Sequence, residues 1–201
     1  VGLTSDKVDA FTLRDAADWV IKPRLLAVPG VAHVIVFGGD VRQLQILPDT
    51  ARLAHFGLTL TDVADAARGA LSVRGAGFVD LVSQRVLIKT PTPTPDVGAL
   101  ADTVLVTRGA TPVRIRDVAV VREAAALKFG DALIMGKPGV LLSLASQFGA
   151  NTLETTRAVE LALGELEPAM KAQGITLHGG LHRPANFIER ALGDMQKSLL
   201  I

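Results

Sequence analysis

The two ends of the chain carry the same order of predicted elements, and this repetition constrains the fold more than any other feature. Residues 1–4 and 31–37 have the apolar, β-branched character of strands, and apolar side chains between them recur at helical spacing. Near the other end, residues 127–135 and 140–147 predict a strand pair, a long helix follows, and residues 175–177 predict another strand. A strand–helix–strand unit therefore opens the chain, and a second one closes it.

Two such units can interleave in one sheet, which predicts an α+β protein with a ferredoxin-like split βαβ layer. We expect this layer to be built from residues 1–40 and 123–182. The block between them, residues 41–122, shows short strands and short helices and predicts an inserted mixed α/β subdomain. In residues 183–201, apolar side chains recur along one stripe of a helix predicted over residues 185–200.

Several local signals predict where elements begin or break. Thr12 is the predicted N-cap of the first helix, and Thr61 is the predicted N-cap of a helix in the middle block. Pro23 predicts a kink or a restart of the first helix, because proline has no N–H to donate. Residues 74–89 predict a hairpin, and the Thr-Pro repeat of residues 90–95 predicts a stiff, extended connector.

Charge and composition exclude several classes of function. The 201 residues include 21 Lys and Arg and 20 Asp and Glu, a formal net charge of +1, so the basic excess of a nucleic-acid binder is absent. Seven Phe, one Trp and no Tyr also leave little to stack on bases. The absence of Cys excludes disulfides, thiol catalysis and cysteine-ligated metals. We therefore expect no nucleic-acid partner.

The mean hydropathy of +0.37 is high for a free-standing soluble protein. One explanation is simply a composition rich in Ala, Val and Leu. The other is a soluble piece of a larger, membrane-anchored chain. The sequence starts at Val1 without a signal peptide, and it has no run of 18 apolar residues. Composition alone favours the first explanation and leaves the second open.

The chain contains no sequence motif of a catalytic, cofactor or metal site. A GxxxxGK[ST] loop, a GxSxG elbow and an HExxH helix are all absent. His178 and His182 have the i, i+4 spacing of helical metal ligands, but Gly179 and Gly180 between them favour a strand and turn. Met170 and Met195 are too far apart in sequence to complete a soft-metal site by spacing. We assign no catalytic, cofactor-binding or metal residues and expect no tight metal site.

Two isolated histidines and one charged cluster allow weaker hypotheses. His33 and His55 are interpreted as structural. Arg183 and Arg190, with Glu189 beside them, could bind an anion. The commoner outcome for such a mixture of charges is a solvated helix face, which we favour.

Short motifs in a fixed order carry a family resemblance along nearly the whole chain. They fall at residues 13–19, 23–31, 38–39, 57–63, 112–119, 136–138, 149–152 and 183–189. In order and spacing they resemble the periplasmic part of resistance–nodulation–division efflux transporters. The likeness is greatest to the heavy-metal branch, the copper/silver and cobalt–zinc–cadmium pumps.

The resemblance implies a role for each part of the chain. Residues 1–40 and 123–182 would form a porter subdomain, residues 41–122 a docking subdomain, and residues 183–201 a connector helix toward the membrane. The whole would be the periplasmic part of a bacterial inner-membrane protein, a proton-driven pump that exports cations, foremost heavy metals. The family's proton-relay carboxylates and its methionine metal site would lie outside this chain.

The resemblance also implies binding partners, and other functions remain as alternatives to heavy-metal export. The expected partners are neighbouring subunits of a homotrimer, a periplasmic adaptor protein, an outer-membrane channel, and the membrane through the rest of the chain. A pump for organic solutes and a free-standing ferredoxin-like ligand-sensing or interaction module are the alternatives, and a small enzyme is the least favoured. Leu181-His182 and the Thr-Pro run depart from the family pattern and weaken any inference about substrate.

Overall fold

The computed structural model describes residues 1–71, 75–80, 85–89, 96–128 and 130–199. The chain divides into two compact units: unit 1 is Val1–Arg42 with Ala125–Ile201, and unit 2 is Gln43–Ala124. The strands are β1 Gly2–Ser5, β2 Val31–Gly38, β3 Arg42–Pro48, β4 Gly75–Asp80, β5 Arg85–Lys89, β6 Val104–Arg108, β7 Thr111–Arg114, β8 Ala119–Ala125, β9 Ala132–Ile134, β10 Lys137–Ser146 and β11 Ile175–His178. The α-helices are α1 Ala10–Asp15, α2 Lys22–Leu26, α3 Thr50–His55, α4 Leu60–Leu71, α5 Val97–Ala101, α6 Ile115–Val118, α7 Thr152–Ala172 and α8 Ala185–Leu199, with a π-helical stretch, Ala16–Ile21, between α1 and α2.

The sheet of unit 1 interleaves strands from both ends of the chain. Its order is β11-β1-β10-β2, with β9 added to β10, and the pairs are antiparallel. β1 and β2 flank β10, and β10 and β11 flank β1, so each strand–helix–strand unit places one strand between the two strands of the other. The protein is therefore α+β, and β2 and β9 belong to one sheet as the sequence predicted.

The helical segment 10–26 and α7 cover one face of this sheet. Side chains from the strands, from the helical segment 10–26 and from α7 form one core. Its most completely buried large members are Leu3, Ile21, Leu25, Val140, Leu142 and Met170. The opposite face of β2 carries Ile35 and Phe37, about half exposed, as the period-2 alternation of a strand requires.

The first helical segment tests two predictions from the sequence, the N-cap at Thr12 and the kink or restart at Pro23. The predicted N-cap at Thr12 is wrong: the helix begins three residues earlier, and the Asp9 carboxylate accepts a hydrogen bond from the Thr12 N–H. At Pro23 the chain stays helical but changes type, since the π-helical stretch ends at Ile21 and α2 begins with Lys22. A proline in the first turn of α2 is tolerated because that turn needs few donors.

The strand predicted over residues 127–135 is shorter than expected. Of the described residues in this range, only those of β9, Ala132–Ile134, pair with β10, and a two-residue turn at Met135 and Gly136, both with positive φ, joins the two strands. Before β9, Lys128 Nζ lies 2.8 Å from Asp40 and 3.2 Å from Asp131. These ion pairs hold Lys128 in a loop and raise its pKa, mainly through the hydrogen bond to Asp40.

Unit 2 consists of short strands and helices packed around two apolar clusters. Within its described residues, β3 pairs with β8, β4 with β5 and β6 with β7. One cluster contains Leu53, Val63, Val113 and Val118, and the other contains Leu100, Ile115 and Ala119. The hairpin predicted over residues 74–89 is confirmed as β4 and β5, while the expected connector at residues 90–95 lies outside the described residues.

The N-cap predicted at Thr61 is also wrong. The helix α4 starts at Leu60. Thr59 and Asp62 bond each other reciprocally: the Thr59 N–H and hydroxyl donate to the Asp62 carboxylate, and the Asp62 N–H donates to the Thr59 hydroxyl. This reciprocal pair, two residues ahead of the expected position, satisfies the free donors at the helix start.

Candidate functional site

A cavity of about 300 Å³ lies in unit 1 beside the second half of β10. Strand residues 141–146 form one side, Thr155, Val159 and Glu160 of α7 form the floor, and the loop of residues 179–184 closes the other side. The lining is mainly apolar, with Thr and Ser hydroxyls and one charged pair at its margin. This cavity is a concave site of the kind that binds ligands, and a second cavity of similar volume, about 290 Å³, lies elsewhere in unit 1.

The charged pair at the margin belongs to a small ionic cluster around Arg183. Its Nε lies 2.5 Å from Glu160, its Nη1 lies 2.5 Å from Glu189 and 2.7 Å from Asn186 Oδ1, and its side chain is only 18% exposed. The hydrogen bonds that Arg183 donates to Glu160 and Glu189 raise the pKa of Arg183, and Arg183 lowers the pKa of Glu189. The cluster joins α7 to α8 across the loop.

The geometry favours this structural role over anion binding. The Arg183 guanidinium is engaged by two carboxylates, so an incoming anion would have to displace them and meet their repulsion. Arg157 extends the cluster at 3.8 Å from Glu189. Arg190, the other basic residue in the hypothesis, is exposed on α8, where the expected solvated helix face is found.

The histidine pair is not brought together as a ligand set. His178 is the last residue of β11, and its Nε2 lies 2.8 Å from the Thr4 hydroxyl across the sheet. His182 is exposed in the loop and lines the cavity. Among the described residues, no group of three or more His, Asp and Glu side chains converges to hold a metal ion.

The helix α8 spans Ala185–Leu199, close to its predicted range, and exposes its apolar stripe. Ala185 is fully buried, and the Arg183 cluster fixes this end of the helix. Farther along, Phe187 is 73% exposed and Met195 is 62% exposed, with Leu192 also exposed between them. The stripe is an apolar surface that the described residues of unit 1 leave exposed.

Sequence reasoning missed the cavity and half of the ionic cluster. Glu160 and Arg183 are 23 residues apart, so no local spacing could have paired them. One signal was available for the cavity: the strand predicted at residues 140–147 is twice as long as the four residues predicted for the first strand. In the structure β10 has ten residues and β1 has four, and the cavity lies beside the part of β10 that does not pair with β1.

In the parts of the chain that the structure describes, no helix combines the length and the apolar character needed to cross a membrane. The longest described helix, α7, is charged along its outer side and contributes Ala162, Leu163 and Met170 to the core.

Comparison with known proteins identifies relatives over almost the entire length of this chain. The cobalt-zinc-cadmium resistance protein of Cupriavidus metallidurans is 30% identical over 188 residues, which is 94% of this chain and 18% of that protein. The nickel and cobalt resistance protein of the same organism is 31% identical over 147 residues, 73% of this chain and 14% of that protein. A cation efflux system protein of Escherichia coli strain K12 is 28% identical over 200 residues, 98% of this chain and 19% of that protein.

The chain thus spans less than a fifth of the length of each of these relatives. The family profile described as AcrB/AcrD/AcrF matches residues 1–201, the whole of this chain. The chain therefore belongs to the AcrB/AcrD/AcrF family, within the resistance–nodulation–division transporters that its motifs resemble.

Proposed function

We propose that this chain is the periplasmic porter and docking portion of a proton-driven efflux pump that exports cations, foremost heavy metals. The observation that carries the proposal is the family match over all 201 residues. The names of the relatives point to the cargo: cobalt, zinc and cadmium for one, nickel and cobalt for another, and cations for a third.

The architecture of unit 1 supports a porter subdomain. The strand order β11-β1-β10-β2, with helices on one face, supports a ferredoxin-like split βαβ layer. Its continuous core, with Leu3, Val140 and Leu142 almost completely buried, makes it a rigid body. Rigid bodies that tilt against one another can open and close a cleft, and this task requires no acid–base residues.

Unit 2 has the features expected of a docking subdomain. Residues 41–122, the proposed docking insertion, nearly coincide with Gln43–Ala124. The unit has its own apolar clusters and so can present a stable surface. In the intact pump we assign this surface to neighbouring subunits of a homotrimer and to an adaptor protein, which connects to an outer-membrane channel.

The exposed stripe of α8 supports a connector between unit 1 and the inner membrane. Phe187, Leu192 and Met195 lie on this stripe, and we assign them partners in neighbouring subdomains or lipid. In the isolated chain, α8 amides from residue 188 onward should exchange hydrogen faster than those of β2. Equal protection in the two elements would place α8 in the domain's own stable core and contradict the connector role.

The function is tested by expressing the full-length protein in a bacterial host that lacks its own cation exporters. Growth should become more tolerant of one or more of cobalt, zinc, cadmium, nickel, copper and silver ions, and cellular content of that metal should fall. Tolerance gained only toward organic solutes would replace heavy metals as the cargo. No change for either class, with the protein present in the membrane, would contradict export.

A matched pair of substitutions ties the phenotype to this chain. Leu142 is almost completely buried in the central strand, whereas Leu161 on α7 is 72% exposed. L142D places a charge in the core and should abolish tolerance, because an unpaired buried charge unfolds unit 1. L161D should retain tolerance at an equal amount of protein.

A further inference from the structure

Arg183 engages every N–H donor of its guanidinium. Nε and Nη2 donate to the two carboxylate oxygens of Glu160, at 2.5 and 3.3 Å. Nη1 and Nη2 donate to those of Glu189, at 2.5 and 3.2 Å, and Nη1 also donates to Asn186 Oδ1 at 2.7 Å. A guanidinium has five N–H donors, so none is left over, and each carboxylate receives two hydrogen bonds.

This arrangement requires arginine rather than a positive charge alone. The planar guanidinium directs its donors in a fixed fork, which can meet two carboxylates with two bonds each, whereas the ammonium of lysine is a single point and cannot. The Arg183 side chain is 18% exposed, against 43% for Glu160 and 37% for Glu189, so the guanidinium is the more enclosed partner in both pairs. Because its donors are all engaged, water competes for them less than in an ordinary surface ion pair.

The backbone and the side chain of Arg183 serve different helices. Its carbonyl accepts the Asn186 N–H at 3.1 Å, so its backbone forms the turn that starts α8. Its guanidinium lies on Glu160, near the middle of α7. Ala185, the first residue of α8, is fully buried. One residue therefore ties the start of α8 directly to α7.

A second contact to α7 lies one helical turn away. Arg157 Nη2 is 3.8 Å from Glu189 Oε1. Arg157 and Glu160 are three residues apart on α7, so they share one face and are separated by about 4.5 Å along its axis. Every hydrogen bond or ion pair that the described residues form between α7 and residues 183–198 involves Arg183 or Glu189. Two contacts spaced along α7 fix the direction of α8 as well as the position of its first turn.

The loop before Arg183 does not set this direction by itself. It contains Gly179 and Gly180, and glycine adopts many backbone conformations at little cost. A Cβ placed on Gly180 would meet no atom beyond its chain neighbours within 4 Å, so packing does not hold this residue in one conformation. The contacts of Arg183 and Glu189 therefore fix the helix where the loop leaves it free.

We propose that Arg183 is a positioning residue for export: through Glu160 it fixes the direction in which α8 leaves unit 1, so that α8 and unit 1 move as one body. A displacement of α8 then tilts unit 1 rather than bending the loop of residues 179–184. This role rests on the proposed export function only for its purpose, since the direction of α8 can be measured without transport.

The direction of α8 is measured as a distance between two spin labels, and the absence of native Cys makes the labelling specific. L161C on α7 and Q196C on α8 place both labels at exposed positions. The labelled chain should show one narrow distance distribution in pulsed electron paramagnetic resonance. R183K keeps the charge but loses the fork, so its distribution should be at least twice as wide.

R190K is the matched control, because Arg190 is exposed on the same helix and its replacement should leave the distribution narrow. In R183A, millimolar guanidinium should narrow the distribution again, whereas methylammonium, which has the charge without the fork, should not. Amide exchange of β10 should stay unchanged in R183K. A distribution for R183K as narrow as that for R190K would overturn the proposal. Faster exchange of β10 in R183K would also overturn it, because Arg183 would then hold unit 1 together rather than direct α8.

The consequence for export is tested in the full-length protein. R183K should lower the metal concentration that cells tolerate at least twofold at an equal amount of protein, and R190K should not. Full tolerance in R183K, together with a widened distance distribution, would overturn the positioning role and leave the export function intact. Absence of tolerance with the unsubstituted protein would contradict the export function alone, since the distance distributions would still show whether Arg183 directs α8.

Discussion

Substituting Leu142 by alanine should destabilise unit 1 and leave unit 2 unchanged. Leu142 is 1% exposed and belongs to the core of unit 1, whereas Val118 and Ile115 belong to the separate clusters of unit 2. If the two units are the rigid bodies of a porter and a docking subdomain, each should unfold by its own equilibrium.

The size of the effect follows from the burial of the side chain. Leucine to alanine removes three carbon groups, worth about 0.8 kcal/mol each when fully buried. Incomplete collapse of the space left behind raises the expected loss of unfolding free energy to about 3 kcal/mol. Since about 1.4 kcal/mol corresponds to a factor of ten, the unfolding equilibrium of unit 1 should shift by roughly 100-fold.

Native-state hydrogen exchange resolves the two units in one sample. In L142A, the slowest amides of β1, β2 and β10 should exchange roughly 100-fold faster, while those of β6, β7 and β8 keep their rates. L161A, at an exposed position of α7, should change neither set. Equal acceleration in both units would show that they unfold together, which would contradict two separately stable cores.

Three further predictions concern single positions. Met135 has φ 52° in a tight turn. Because asparagine tolerates the left-handed region better, M135N should raise the unfolding free energy, measured by urea unfolding, by about 0.5–1 kcal/mol. No gain would mean that the turn is unstrained. Asn151 caps α7 by accepting bonds from two backbone N–H groups, so N151A should cost about 1 kcal/mol and N151S much less; equal losses would exclude capping. Arg183 lowers the pKa of Glu189, so this ion pair stabilises the fold above the unfolded-state pKa of Glu, and its contribution is lost as pH falls through the lowered value. In E189Q the unfolding free energy should therefore change less with pH between these two pKa values. An unchanged pH dependence would mean that the pair does not contribute to stability.

Local signals predicted the elements whose ends are decided by the residues next to them. In the sequence, Asp49 predicts the start of a short helix over residues 50–55 and Gly57 predicts its end. The structure has α3 there, with Asp49 as its cap and Gly57 after it at positive φ. Asn151 is likewise both the predicted and the observed N-cap of the long helix α7. The errors arose where two residues compete for one role: Asp9 rather than Thr12, and Thr59 rather than Thr61, provide the side chain that meets the free N–H groups.

The candidate site depends on contacts between residues far apart in the chain, and these were harder to predict. The Arg183 cluster joins α7 to α8, and the cavity is enclosed by β10, α7 and a loop. Neither has a sequence motif, because apolar packing and ion pairs place few demands on spacing. The order of strands was predictable only because the same strand–helix–strand pattern occurs at both ends.

Uptake of metal ions into inside-out membrane vesicles that contain the full-length protein measures proton-driven export itself. Imposing an inward-acid proton gradient should drive accumulation of at least one heavy-metal cation, and collapsing the gradient with a protonophore should stop it. Vesicles with an equal amount of L142D should not accumulate the cation. Accumulation that persists without the gradient would contradict proton-driven export, and its absence for every heavy-metal cation tested would contradict the proposed cargo.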